Sequence, residues 1–222
     1  MMKLIGLFAF SMAIATAAMG GKNADGSLVV HTQDAHAWTV GVCDYSDSWV
    51  PDDCEALNTR TDKVHPVHEE PATLIWFLAA FCEGSTPGVV VVYFGVDHNL
   101  PPLHHYRWGL CGPPGSIEFP DVGWPEFPIA GTSVCFWPPI AGDTLFPFYY
   151  IAAWGHPGDH YCSAINPTGG YAAYVDDSDP PVMDEITRFG CIRWLEEGYN
   201  ECPGSPTPTK ITTWGRMKTT YR

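Results

Sequence analysis

The chain has 222 residues, a formal net charge of −14 and 45% hydrophobic residues. About 200 residues suffice for one domain with a sizeable core. The 22 glycines and 21 prolines disfavour long helices, and the apolar runs between them exclude a disordered chain. The acidity argues against nucleic acid as a partner of the folded part.

Residues 1–18 predict a secretory signal peptide. Lys3 provides the positive charge, residues 4–15 are apolar, and the small residues at 16–18 fit cleavage after Ala18, with Gly20 as a second cleavage position. The apolar stretch is too short to span a bilayer. We therefore expect a secreted or cell-surface protein with no transmembrane segment in its mature chain.

Short runs of β-branched and aromatic residues, separated about every ten residues by Gly, Pro, Asn and Asp, predict an all-β fold. Four consecutive valines at 89–92 suit a pleated surface and predict a strand inside a sheet. Residues 73–82 and 88–96 flank a turn with Gly and Pro, which predicts a hairpin. The predicted strands are residues 27–32, 37–42, 73–82, 88–96, 133–137, 145–154 and 171–175.

Two segments depart from the strand pattern. Residues 101–128 contain Pro-Pro pairs and predict loop, whereas residues 182–195, with Asp184 and Glu185 in the first turn, predict a short helix. The fold expected for residues 23–202 is an all-β, disulfide-stapled β-sandwich of jelly-roll or immunoglobulin-like type. It has long Pro/Gly-rich loops and at most one short helix.

Eight cysteines in a chain with an export signal predict up to four disulfides. None forms a C-x-x-C pair, which argues against structural zinc and c-type haem. The short spacings favour the pairs Cys43–Cys54 and Cys191–Cys202. The pairing of the other four stays open, namely Cys82, Cys111, Cys135 and Cys162.

Charge divides the chain into an acidic body and a basic end. All 25 acidic residues lie between Asp25 and Glu201, whereas the residues after Cys202 carry only cations. Residues 203–211 form a Pro/Thr linker, and residues 212–222 form a separate basic tail. We interpret the tail as a sorting or attachment signal, with a basic disordered end as the alternative; its candidate residues are Trp214, Gly215, Arg216, Lys218, Tyr221 and Arg222.

The tail Thr213-Trp-Gly-Arg-Met-Lys218, ending in Tyr-Arg222, resembles a C-terminal signature of secreted proteins from environmental bacteria. The body is similar to secreted proteins of the same kind at Val29-Val-His31, residues 76–84, residues 94–97, Gly123-Trp-Pro125 and Asn166-Pro-Thr-Gly-Gly170. More distantly, it resembles cohesin-type or carbohydrate-module β-sandwiches. The resemblance implies location outside the cell and a modular design, and it carries over no chemistry.

Two groups of residues are candidates for metal binding. His156 and His160 have a familiar ligand spacing, and His98, His104 and His105 lie in loops that can converge with them. Pro157-Gly158 disfavours the helix that this spacing needs, so exposed loop histidines are the alternative. Asp176, Asp177 and Asp179 are candidate calcium ligands in an otherwise cofactor-free protein, with a solvated acidic turn as the alternative.

Catalytic motifs are not evident in the sequence. It has no G-x-S-x-G, no H-E-x-x-H and no phosphate-binding glycine loop. The carboxylate pairs 69–70 and 196–197 are sequence neighbours, so they diverge on a strand or a helix. The sequence therefore predicts a protein that is not an enzyme.

The abundant aromatic residues are either core or surface residues. Large rings usually pack inside a sandwich, but some can form a platform for sugars or a contact between subunits. The candidates for an aromatic surface are Trp108, Trp124, Trp137 and Trp154.

These features predict a secreted or cell-surface, non-catalytic structural or adhesive module. Its expected partners are further copies of itself, which would make it a subunit of an extracellular filament or matrix, or other surface components. A carbohydrate-binding module that recognises polysaccharide is the first alternative. A metal-dependent secreted hydrolase is the second.

Overall fold

The computed structural model describes residues 20–33, 42–45, 50–62, 64, 72–101 and 104–204. Within these residues the chain forms thirteen strands, two short 3-10 helices at Val42–Tyr45 and Cys54–Ala56, and no α-helix. The strands are Ser27–Gln33 (β1), Arg60–Thr61 (β2), Thr73–Ala80 (β3), Gly88–His98 (β4), His105–Leu110 (β5), Ile117–Pro120 (β6), Ile129–Ala141 (β7), Leu145–Ala153 (β8), His160–Ala164 (β9), Ala173–Asp176 (β10), Met183–Glu185 (β11), Gly190–Trp194 (β12) and Tyr199–Asn200 (β13).

The strands form two sheets. Sheet A has the order β1-β3-β8-β5, and sheet B runs β11-β10-β4-β9-β12-β13. Strands β9 and β10 pair with one edge of β4, and β7 pairs with its opposite edge and with β6. Strand β2 joins β12 as the one parallel strand pair of the described residues. The expected all-β, disulfide-stapled sandwich is confirmed, and β4 lies inside its sheet as predicted.

The main core fills the space between the two sheets. Alternate residues of β4 point inward, among them Val92, Phe94 and Val96, because successive side chains of a strand face opposite sides. Phe94 meets Phe77 of β3 across the core with ring centroids 5.5 Å apart. Such tilted aromatic pairs stabilise the sandwich beyond simple area burial.

Strands β1, β3 and β8 of sheet A are largely buried on both faces, whereas the edge strand β5 is partly exposed. Every residue of β3 is buried, and alternate residues such as Trp76 face a second apolar cluster with Val42 and Leu57. The described parts of residues 42–57 therefore cover the outer face of this sheet. This arrangement explains the unbroken apolar run of β3, because a strand covered on both faces needs no polar alternation.

The two sheets meet at a corner between β1 and β12. The Asn200 side chain accepts a hydrogen bond from the Val30 N–H at 2.9 Å and donates to the Val30 carbonyl at 2.8 Å. The Ser163 hydroxyl contacts the Leu28 and Gly190 carbonyl oxygens at 2.7 and 3.2 Å. Side chains thus satisfy backbone groups where the strand ladder is interrupted.

Six of the eight cysteines form disulfides, in the pairs Cys43–Cys111, Cys54–Cys202 and Cys162–Cys191. Cys82 and Cys135 are free and half-buried. The disulfides suit an oxidising environment. In the described part of the chain, no helix is long and apolar enough to cross a membrane.

Both favoured disulfide pairs are wrong. Cys191 lies directly opposite Cys162 in the register of β12 and β9, whereas strand β13 brings Tyr199 opposite Cys191. Cys43 pairs with Cys111, which follows the edge strand β5 of sheet A. Short loop closure favours near neighbours in the unfolded chain, but sheet register decides which thiols meet.

The predicted helix at residues 182–195 is also wrong, because this segment contains β11 and β12. Asp184 of β11 pairs with Tyr174 of β10, and Cys191 of β12 pairs with β9. Sheet partners distant in sequence provide the backbone hydrogen bonds that a local pattern assigned to a helix.

The predicted hairpin of residues 73–82 and 88–96 does not form. Both strands exist, but β3 belongs to sheet A and β4 to sheet B, so their connection crosses between the sheets. The expected loop at 101–128 contains β5 and β6 as well. Of the predicted strand 37–42, only Val42 is described, and it begins a 3-10 helix. The predicted signal peptide, the linker after residue 204 and the basic tail lie outside the described residues.

Candidate functional site

The outer face of sheet B carries exposed apolar side chains where β6 and β7 pair. Alternation turns Ala130, Val134 and Phe136 of β7 into the core and leaves the intervening side chains outside. We call this patch the apolar face; its members, with the exposed fraction of each, are Ile117 (55%), Phe119 (57%), Val122 (92%), Phe127 (54%), Ile129 (62%) and Trp137 (74%).

A shallow groove of about 180 Å³ adjoins the apolar face. The register places Phe119 of β6, Ser133 of β7 and Tyr93 of β4 in one row across three strands. Tyr171 stands edge-on to Tyr93, with ring centroids 5.8 Å apart. The groove is lined by Tyr93, Phe119, Asp121, Ser133, Asn166, Thr168, Gly169 and Tyr171.

The loop on one side of the groove is held by its own hydrogen bonds. The Asn166 side-chain oxygen accepts from the N–H groups of Thr168 and Gly169 at 2.9 and 3.0 Å. The Asn166 N–H donates to the Tyr171 carbonyl at 3.0 Å, so the loop returns on itself. The groove wall is therefore preorganised, which lowers the entropy cost of binding.

Two features give the groove floor a polar character. The Oδ2 atom of Asp121 is buried and has no hydrogen-bond partner among the described residues. Gly131 leaves room for it, because a Cβ there would lie 2.8 Å from this oxygen and would clash with the Asn166 amide. Burial raises the pKa of Tyr93, so its phenol is neutral at ordinary pH.

Strand β6 is anchored to the core from its inner side. Glu118 accepts hydrogen bonds from the hydroxyls of Tyr149 at 2.7 Å and Thr132 at 3.0 Å. The Trp124 indole N–H donates to the Tyr149 hydroxyl at 2.9 Å. The exposed residues Ile117 and Phe119, on either side of Glu118, are therefore presented by a firmly held strand.

Only one of the four tryptophans predicted for an aromatic surface is exposed. Trp137 lies on the apolar face, whereas Trp124 and Trp154 are buried and Trp108 packs partly buried against the main core. The Trp124 contact with Tyr149 explains its burial, because its indole N–H needs an internal partner there.

The predicted histidines gather at one end of the sandwich in two pairs. The rings of His98 and His105 lie 4.8 Å apart, and both contact Tyr161. The rings of His104 and His156 lie 5.4 Å apart. His156 begins a turn rather than a helix, as Pro157-Gly158 suggested, and its N–H donates to the Asp159 carboxylate. His160 lies beyond the turn, at the start of β9.

The nitrogen atoms of the two buried histidines differ in their bonding. Those of His98 bond the Pro125 carbonyl and the Leu100 N–H, at 3.1 and 3.2 Å. Neither nitrogen of His105 has a hydrogen-bond partner among the described residues. Burial and the neighbouring histidines His98 and His104 lower the pKa of His105 to about 3. Within the described residues, no three His, Cys, Asp or Glu side chains are arranged to hold a metal ion.

The carboxylate of Asp176, a predicted calcium ligand, instead accepts hydrogen bonds from protein donors. Its oxygens accept from the N–H groups of Val182, Ser178 and Lys22 and from the Ser178 hydroxyl. Burial opposes ionisation of Asp176, but these hydrogen bonds outweigh burial and lower its pKa. Asp177 pairs with the Lys22 ammonium at 2.7 Å, and Asp179 is exposed.

A larger concavity of about 280 Å³ lies beside the Cys54–Cys202 disulfide. Its polar lining is dominated by carboxylates, namely those of Asp52, Asp53, Glu55 and Glu83. The groove of sheet B, by contrast, combines aromatic rings with neutral polar groups and a single carboxylate, that of Asp121. That mixture is typical of a recognition site.

Sequence reasoning missed the apolar face and the groove. The Ile117-Glu118-Phe119 alternation is the period-2 signal of a strand with one exposed side, but it is short and lies among prolines. The residues of the groove come from four separate segments, which only the sheet register brings together.

The chain matches no protein-family model, and no curated protein is significantly similar to it in sequence. The geometry of the apolar face and the groove is therefore the basis for a functional proposal.

Proposed function

We propose that the protein is exported through a cleaved signal peptide and serves outside the cell as a non-catalytic adhesive module that associates with further copies of itself. The disulfides support the extracellular location, since such bonds persist in oxidising compartments. The apolar face provides the surface for association.

The single observation behind this proposal is the exposed β6–β7 hairpin. Single exposed apolar residues are common, but several on one hairpin indicate an interaction surface. Strand β6 pairs only with β7 among the described residues, so its other edge is open to a further strand. Two copies related by a twofold axis bring the same edge and the same side chains together, which is the commonest closed arrangement.

The proposal is tested by analytical ultracentrifugation of the purified disulfide-bonded protein over a range of concentrations. We expect wild type to self-associate and Ile129→Lys and Trp137→Lys to shift it toward monomer, because a buried lysine has no partner in an apolar contact. Tyr199→Lys is the matched control, since Tyr199 is a 48% exposed aromatic residue on the edge strand β13. A wild-type monomer at high concentration would contradict the proposal.

The groove favours polysaccharide binding as a second candidate function. Sugar rings stack on aromatic side chains such as Phe119 and Tyr171, while their hydroxyls bond polar groups. Asp121 offers at the groove floor an acceptor that has no hydrogen-bond partner within the described residues. Affinity electrophoresis in cellulose derivatives, chitin derivatives, xylan and alginate tests this candidate. Retardation by one polymer that Tyr171→Ala and Asp121→Ala abolish is expected; equal mobility in all four excludes it.

The basic tail at residues 212–222 is proposed as the sorting or attachment signal of the module. The support is its charge, opposite to that of the acidic body, and its separation by the Pro/Thr linker. Deletion of residues 210–222 should leave export intact and abolish surface attachment. Unchanged attachment of the truncated protein would exclude this role.

A further inference from the structure

We propose that export cleaves the chain between Gly20 and Gly21, and that the new α-ammonium group of Gly21 docks against the buried carboxylates of Asp184 and Asp176. The cleavage step rests on the proposed export. The docking step rests on the geometry of the folded chain and does not depend on the proposed export.

The Gly21 nitrogen already lies at the first carboxylate. Its N–H donates to Asp184 Oδ1 at 2.7 Å, and the Asn23 N–H donates to Asp184 Oδ2 at 3.1 Å. Asp184 is 7% exposed and belongs to β11 at the edge of sheet B. The segment after Gly21 is therefore held by a buried acid 163 positions along the chain.

The second carboxylate closes the other side of the same site. Asp176, at the end of β10, is fully buried and accepts from the Lys22 N–H at 3.2 Å. A Cβ built on Gly21 would lie 2.9 Å from Asp176 Oδ2 and from the Val182 side chain, and nearer still to Asp184. Only glycine fits between these groups, so a chain that starts there presents its amino group without a side chain.

The site has more negative than positive charge. Among the described residues, Asp176, Asp177 and Asp184 surround the segment, and Lys22 pairs with Asp177 alone. An α-ammonium at Gly21 supplies a second cation beside the buried pair. It also replaces the hydrogen bond from a neutral amide to the Asp184 carboxylate with an ion pair between an ammonium and the same carboxylate.

The sequence around the bond fits a signal-peptide cleavage site. Cleavage after Gly20 places Gly20 and Ala18 at the two positions where such sites require small residues. Gly20 is exposed and adjoins the docked segment. Cleavage after Ala18 would instead leave Met19 and Gly20 ahead of Gly21, with the charge displaced from both carboxylates.

The reaction is a peptide-bond hydrolysis by a signal peptidase, which is the co-reactant with water. The water oxygen bonds to the Gly20 carbonyl carbon, the C–N bond to Gly21 breaks, and Gly20 leaves as a carboxylate on the leader. One proton of the water passes to the Gly21 nitrogen, which becomes the amine. The other is released to solvent as the Gly20 carboxylate forms, and the amine takes up a proton from solvent to become the ammonium. Docking then follows folding of β10 and β11.

The cleavage site is tested by export of the full-length chain into the bacterial periplasm, followed by N-terminal sequencing and intact mass. A start at Gly21 is expected, and a start at Met19 would overturn the assigned bond. If no processed protein forms, the export proposal fails while the docking can still be tested.

Docking is tested on protein freed from a fusion by a site-specific protease, with Gly21 or Gly20 as its first residue. The Gly20 start is the matched control, since it keeps the Gly21 N–H but moves the charge. We expect a Tm about 2 to 4 °C higher for the Gly21 start, and we expect Asp184→Asn to remove this difference.

The pH dependence of the same pair of proteins adds a readout that does not need the Asp184 variant to fold. An unfolded α-amino group has a pKa near 7.7–8.0, and the facing carboxylates raise it in the folded protein. The protein that starts at Gly21 therefore keeps its full gain in Tm below about pH 7.7. It loses this gain as the pH rises through the pKa that the α-amino group has in the folded protein. Equal Tm values at neutral pH would overturn the docking.

Discussion

His105 shows how much a single buried side chain influences this fold. It is 8% exposed, contacts His98 and Tyr161, and finds no hydrogen-bond partner for either ring nitrogen in the part of the chain that the structure describes. A buried polar atom without a hydrogen bond costs free energy of folding. The neutral ring survives because its protonated form is more costly still, as the lowered pKa of about 3 indicates.

We predict that stability falls in acid because of this residue. The pKa of His105 is lower in the folded than in the unfolded chain, where it is about 6.5. The titration of His105 therefore leaves the free energy of unfolding unchanged above about pH 6.5. Below that pH, this free energy falls by about 1.4 kcal/mol per pH unit toward pH 3. The lowered pKa of His98 acts in the same direction.

His105→Phe should flatten this pH dependence and stabilise the protein at pH 5, because the ring is retained without its nitrogens. Urea unfolding at pH 5 and pH 7 measures the change in free energy, and His160→Gln on the outer face of sheet B serves as the control. An unchanged pH dependence in His105→Phe would show that other groups control acid unfolding.

At the scale of strands, the sequence predicts where the strands lie better than it predicts which strands pair. The apolar run of β3 and the valines of β4 identify both strands, because side-chain periodicity is a local property. It does not reveal that β3 and β4 belong to different sheets, or that residues 183–185 pair with β10 rather than continue a helix. The candidate site depends on the pairings of β4 with β7 and of β6 with β7, which the sequence does not reveal either. Its tyrosines and its Asp121 therefore escaped prediction, while the exposed Trp137 did not.

The cysteine pairing is a direct test of strand register. We predict that denatured, unreduced protein reacts with iodoacetamide at two thiols, Cys82 and Cys135, since the other six are paired. In the native protein Cys135 should react slowly, because burial raises the pKa of its thiol and the thiolate is the reactive form.

Mass spectrometry of the labelled peptides identifies the modified residues. Peptides that link Cys162 to Cys191 are expected from the unreduced digest, since these residues face each other in β9 and β12. Recovery of a Cys191–Cys202 peptide instead would contradict the register of β12 and β13.

At the scale of the whole molecule, the two sheets differ in how they are covered. Described parts of residues 42–57 shield the outer face of sheet A, and the disulfides of Cys43 and Cys54 fasten them. On sheet B, no segment that the structure describes covers the apolar face. One sheet thus contributes a doubly covered core and the other a surface, which is an arrangement suited to a rigid module that binds through one side.

The charge of the molecule should make the proposed self-association dependent on salt. The chain carries a net charge of −14, so two copies repel each other. The charged residues between positions 117 and 137 are all acidic, namely Glu118, Asp121 and Glu126, so this hairpin offers no cation for an ion pair with a second copy of itself. Salt screens the repulsion, with a Debye length of about 10 Å at 0.1 M and shorter at higher concentration. We therefore predict that about 0.5 M NaCl strengthens self-association several-fold over low salt, as measured by sedimentation velocity. Ile129→Lys should abolish most of this gain, whereas dissociation of wild type by salt would indicate an ionic contact elsewhere on the surface.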